Sequence, residues 1–185
     1  MGQASGNVPL REQLKRERDA VLARWRQRIL QSYPEETARF LAHEKDEFAN
    51  PVGHALHRDT EALLDLMIEP LDLQRAIPAL DGIVRIRSVQ GFCPSESLRF
   101  ILALKQVVRE QLAASPQMAA TAKELQEFDS QVDELLLAAF DVFVTCRDKV
   151  HEVAHAQLKK SVQVLIDRAN RAPARAAGAE AKGST

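Results

Sequence analysis

The sequence predicts an all-α fold, a helical domain with a long C-terminal helix. Three observations predict it. Apolar residues recur at three- and four-residue spacing through most of the chain, the period of a helix with one buried face. Glycine is scarce (7) and proline modest (8), and most prolines stand between the helix-period segments. Residues 118–170 contain neither. The one strand-like alternation, Ile83-Val-Arg-Ile-Arg-Ser-Val89, has no partner elsewhere, and a lone strand is marginal in water, so it reads as helix.

The first segment, 10–33, carries Leu10, Leu14, Val21, Leu22, Trp25, Ile29 and Leu30 on one stripe, and Pro34 ends it. A short helix over 35–45 follows. Asn50-Pro51 then pairs a strong N-cap residue with the residue best suited to the first helical position. The helix it opens bears Leu56, Leu63, Leu64, Met67 and Ile68 and stops at Pro70. Asp72 caps the next segment, 73–90, which Pro78 is expected to divide. Cys93-Pro94-Ser95-Glu96 has the form of a helix start, with Glu96 placed to reach back to the cap. This helix runs to about residue 113, where Ala114-Ser-Pro116 breaks it. The last helix keeps a heptad-like seam through Leu125, Phe128, Val132, Leu135, Val142 and Cys146. Its stripe then narrows to Val150, Val153, Leu158, Val162 and Leu165. At 1.5 Å per residue it would be roughly 70–80 Å long. That is longer than a small domain, so its second half is expected to project or to pair with another chain. The expected organisation is a flexible N-terminus (1–8), a helical domain (9–146), a projecting helix (147–171) and a disordered tail (172–185).

Composition bounds the function. With 185 residues, 45% apolar and 28% charged, the chain has the makeup of one globular core. A net charge of −1 argues against a nucleic-acid binder, which normally carries a strong basic excess. No run approaches the roughly 18 apolar residues of a membrane span, and the first residues lack the pattern of a signal peptide. Two cysteines, Cys93 and Cys146, provide neither a disulfide framework nor a cysteine zinc site. A reduced, cytoplasmic protein is expected. Charge is uneven along the chain. The first segment is basic (Arg11, Lys15, Arg16, Arg18, Arg24, Arg26, Arg28) and the stretch from Glu35 to Asp65 is acidic, a pattern best explained by internal pairing and a solvated face.

Several constellations bear on chemistry. His151-Glu152-Val-Ala-His155 is a literal H-E-x-x-H, which on a helix sets two imidazoles one turn apart. A catalytic zinc needs a third protein ligand, and none is well placed downstream. The preferred reading is a solvated helix face, with His151 and His155 kept as a candidate metal pair and no metal or cofactor expected. A haem would need an axial histidine in an apolar pocket, and His43, His54 and His57 stand in polar company. Lys105 falls on the apolar stripe Leu98-Ile101-Leu102-Val108-Leu112, where a buried ammonium needs a partner. Asp141 is the expected counter-ion, and Arg85 and Arg87 would add positive charge nearby. Arg85, Arg87, Lys105 and Asp141 are therefore the candidate anion pocket, with a structural ion pair as the plainer alternative. Cys93 reads as a substitute for a capping serine rather than as a redox thiol.

Taken together, several segments resemble the RsbRD-type N-terminal domain family. They are Phe48-Ala-Asn-Pro-Val-Gly-His54, Ile83-Val-Arg-Ile-Arg-Ser-Val-Gln90, Pro94-Ser-Glu96, Leu104-Lys-Gln-Val-Val-Arg-Glu110, Leu137-Ala-Ala-Phe-Asp-Val-Phe143 and Cys146-Arg-Asp-Lys-Val150. The resemblance covers roughly residues 10–160. It implies the sensory domain of RsbT co-antagonists, stressosome regulators of the general stress response, with similar domains preceding histidine kinases. Related domains are globin-like without haem. The chain departs from the family at Cys93, where a capping serine is usual, and at His151 and His155, where the family shows no metal motif. With no STAS, kinase or output domain after Asn170, output is expected through another protein. The expected function is a stand-alone, non-enzymatic sensory or regulatory domain in bacterial signalling. It is expected to form a homodimer through the 129–165 helix, with Val150, Val153, Leu158, Val162 and Leu165 at the interface, and to have a protein partner. The alternative is a structural adaptor that binds no ligand.

Overall fold

The computed structural model describes residues 8–44, 46–115 and 120–180, with side chains described through residue 168. Among the described residues the chain is helical throughout, with no strand. The helices are α1 (Leu10–Arg16), α2 (Arg18–Leu30), α3 (Glu35–His43), α4 (Pro51–Ile68), α5 (Leu73–Val89), α6 (Pro94–Ala114) and α7 (Ala122–Glu180). Two compact units divide between Val144 and Thr145. The expected disordered tail falls partly in the last turns of α7 and partly at 181–185, outside the described residues, as is most of the expected flexible N-terminus (1–8).

In the first unit α4 packs along α5, α2 lies against both α4 and α6, and α5 also meets α6. The first part of α7 adds Phe128, Val132, Leu135, Ala139 and Phe143 to the same buried core, four and three residues apart as one helical face requires. Trp25 anchors the centre. It is wholly buried, stacks on Phe100 with ring centroids 6.1 Å apart, and its indole N–H donates to the Phe100 carbonyl at 2.7 Å.

Helix ends follow the expected chemistry, with one addition. Asn50 caps α4 by accepting from the Gly53 N–H at 2.8 Å. Its amide nitrogen also donates to the carbonyls of Leu41 (3.2 Å) and Glu44 (3.0 Å), the last turn of α3 and its cap. One buried side chain thus closes two helices. Gly53 is required beside it, since a Cβ there would stand 2.2 Å from the Asn50 Nδ2. Asp72 caps α5 through the Gln74 N–H at 3.0 Å. The Cys93 N–H donates to the Glu96 carboxylate at 3.1 Å, the reach-back expected at the start of α6. Gly91, at φ +85°, makes the left-handed turn after α5, a conformation that glycine adopts without strain.

Two boundaries differ from the expected ones. The segment 10–33 is two helices, broken at Glu17 (φ −96°, ψ 12°). No glycine or proline marks the break. The ladder carries across it, with the Glu17 N–H on the Gln13 carbonyl and the Val21 N–H on the Glu17 carbonyl, both at 3.0 Å. Pro78, in turn, does not divide α5. It forfeits one amide bond near the helix start, while Ala76, Ala79 and Leu80 on either side are buried in the core.

The charge asymmetry resolves as internal pairing. Arg18 of α2 holds Asp65 at 2.6 Å and Glu61 at 2.9 Å on α4, and both carboxylates raise its pKa. Lys15 pairs with Glu69 at 2.7 Å.

In the second unit α7 continues as helix from Thr145 to Glu180, and its described side chains are exposed apart from Cys146.

Candidate functional site

A groove of about 950 Å³ opens in the first unit between α2, the start of α6 and α7. That is the size of a small-molecule site. Its apolar lining comes from Ile29, Leu98, Phe100, Leu102, Leu136, Leu137 and Phe140. Leu102, Leu137 and Phe140 are 43%, 62% and 49% exposed, so the groove presents apolar surface to solvent. Its polar lining includes Arg28, Ser32, Arg87, Ser95 and Arg99.

Arg87 is the unusual member. It is 1% exposed. One terminal nitrogen donates to the Ser32 hydroxyl and to the Glu96 carbonyl, both at 3.0 Å. The guanidinium carbon lies 4.3 Å from the Phe92 ring centroid and 5.2 Å from that of Tyr33. Its Nε and Nη1 are buried without a hydrogen-bond partner. Burial pushes the guanidinium below the usual arginine range, and no carboxylate forms an ion pair with it among the described residues.

The four residues expected to form an anion pocket are not brought together. Arg85 is exposed on α5 and pairs with Asp81 one turn away, at 2.8 Å. Lys105, 21% exposed at its side chain, donates to Asp133 at 2.7 Å. Asp133 therefore takes the counter-ion place expected of Asp141, which is exposed on α7. The two aspartates are eight residues, roughly 12 Å of helix, apart, because α6 meets α7 two turns earlier than the sequence argument placed it. Of the four, Arg87 alone lines the groove. Sequence reasoning missed Arg99, Leu137 and Phe140. A signal was present for two of them: Leu137 and Phe140 are large apolar residues lying off the buried Phe128–Phe143 stripe and sharing another face of α7.

The expected interface residues Val150, Val153, Leu158, Val162 and Leu165 are between 46% and 63% exposed. Val164 and Ile166 are exposed beside them. His151 and His155 are exposed on the same helix, and among the described residues no group of three His, Cys, Asp or Glu converges to hold a metal ion. No helix among them is long and apolar enough to cross a membrane.

The fold and this site define an all-helical domain with an open groove lined by apolar side chains and arginines. Residues 19–158 match the family described as the RsbT co-antagonist protein rsbRD N-terminal domain, and the chain belongs to that family. The family ties it to stressosome-related signalling. The chain is also 24% identical over 88 residues to an uncharacterized protein of Archaeoglobus fulgidus, an alignment covering 47% of this chain and 54% of that one. It thus spans about half the length of the curated relative it matches. No solved structure matches the chain.

Proposed function

We propose that this chain is a non-enzymatic sensory or regulatory domain that passes its signal through protein contacts of the later part of α7. The carrying observation is the run of exposed apolar side chains there: Val150, Val153, Leu158, Val162, Val164, Leu165 and Ile166. A helix that leaves so many large apolar residues in water gains by covering them. Leu158, Val162 and Leu165 follow one another at four and three residues, the spacing of a helix–helix seam. In this reading the seam joins two copies of the chain in the cytoplasm and offers the paired helices to a signalling partner. His151 and Glu152 belong to the solvated face of the seam helix and perform no chemistry.

Sedimentation velocity of untagged protein at tens of micromolar tests the reading. A dimer is expected. Leu158→Asp with Val162→Asp is expected to give a monomer with its helical circular dichroism intact, because neither side chain is buried in the first unit's core. A wild-type protein that sediments as a monomer overturns the seam.

A further inference from the structure

The groove between α2, α6 and α7 has two chemically distinct parts, and together they specify a ligand. One part is cationic. Arg28, Arg87 and Arg99 line it, and no carboxylate does. Arg28 is neutralised by Glu110. Glu96 stands close enough to Arg87 and Arg99 for both to lower its pKa, after the larger effect of its bond to Cys93. Three arginines against two carboxylates leave one positive charge. Arg87 holds that excess where it is dearest, in a 1% exposed side chain with two nitrogens unpartnered. The first turn of α6 adds to it: Ser95 lines the groove, and amides at this position have no acceptor within their own helix. The other part is apolar, and Leu102, Leu137 and Phe140 hold it open to solvent.

We propose that this groove binds an amphipathic monocarboxylate, with the carboxylate at Arg87, Arg99 and the first turn of α6, and the hydrocarbon along Leu102, Leu137 and Phe140. The inference rests on the reading of the chain as a sensory domain and supplies the class of molecule it would sense. A guanidinium and the Ser95 backbone amide are donors that carboxylates take. One excess charge matches a monoanion. An apolar wall beside the cationic patch calls for a tail as well as a head.

Isothermal titration of the full chain with sodium decanoate, held below its micellar range, tests this. Saturable binding at one per chain is expected, with decanol at least about tenfold weaker and acetate giving no saturable heat. Arg99→Gln and Leu137→Asp alter exposed side chains and should leave the fold intact, and each is expected to weaken decanoate by about threefold to tenfold. Arg87→Gln should remove binding if it folds, and where it does not fold the other two variants carry the test. Decanoate and decanol binding equally, no saturable binding, or binding indifferent to both Arg99→Gln and Leu137→Asp would each overturn the proposal. Sedimentation of the same samples separates the two readings: a dimer that binds no decanoate overturns the ligand and leaves the regulatory seam standing.

Discussion

Replacing Asn50 should be among the most damaging single changes in the first unit, and the structure gives both its size and a control. The side chain is 2% exposed. Its oxygen takes the Gly53 N–H, and its nitrogen serves the Leu41 and Glu44 carbonyls at the end of α3. Asn50→Ala loses an N-cap, at about 1 kcal/mol, and strips a donor from buried carbonyls, at about 1–3 kcal/mol more. The sum is roughly 2–4 kcal/mol, or about 5–15 °C in Tm for a chain of this size. Asn50→Asp is the discriminating variant. Asp caps helices as well as Asn, so it would be neutral if only α4 mattered. The second role makes it harmful, because a carboxylate offers no donor and sets its charge against the carbonyl oxygens. Its folded pKa would then be raised. The penalty is present in full above that pKa and fades as pH falls through it towards the unfolded value near 3.9. Urea denaturation of the two variants at pH 7 and pH 5 measures this. An Asn50→Asp protein within about 0.5 kcal/mol of wild type at pH 7 would refute the double cap.

Two further predictions rest on buried and capping contacts. Trp25→Phe keeps an aromatic ring against Phe100 but removes the indole bond to its carbonyl and leaves a small cavity; chemical denaturation should show a loss of about 2–3 kcal/mol. The Glu124 carboxylate takes the N–H groups of Thr121 (2.8 Å) and Leu10 (2.9 Å), tying the start of α7 to the start of α1. These bonds lower its pKa, so its contribution is present above the ordinary glutamate pKa and lost as pH falls through the lower folded value. Glu124→Gln should flatten the fall in stability below about pH 4.5, read as Tm against pH beside the wild type.

The all-helical fold was legible because it is written in features that act locally. The four-and-three spacing of the apolar residues, Asn50-Pro51, Asp72 and the Cys93–Glu96 pair each report on a few neighbouring residues. The break at Glu17 was not legible, since nothing in its own chemistry stops a helix. The second half of Asn50's work was hidden for a related reason: its amide reaches back to α3, which sequence spacing does not register. The expected anion pocket failed at the same level. Lys105 on an apolar stripe needs a carboxylate, but which carboxylate depends on how far α6 slides along α7, and a slide of two turns exchanges Asp141 for Asp133. Arg87 lines the groove without the charged neighbours expected beside it, and the groove's apolar side is carried by Leu137 and Phe140, off the core stripe of α7.

Arg87 also bears on why the groove is read as a ligand site. A guanidinium between Phe92 and Tyr33 retains some favourable interaction with the rings, and its bonds to Ser32 and Glu96 fasten the end of α5 to α2 and to the start of α6. Fastening alone does not call for a charge. A buried cation without a paired carboxylate is destabilising relative to a well-packed neutral side chain. The Glu96 carboxylate at the start of α6 favours the cation from a distance but forms no ion pair with it. Two buried nitrogens without partners add a further penalty. An anion in the groove would offset these penalties by pairing the charge. The same residue that weakens the empty domain would therefore strengthen the occupied one, and ligand would be read as a rise in stability.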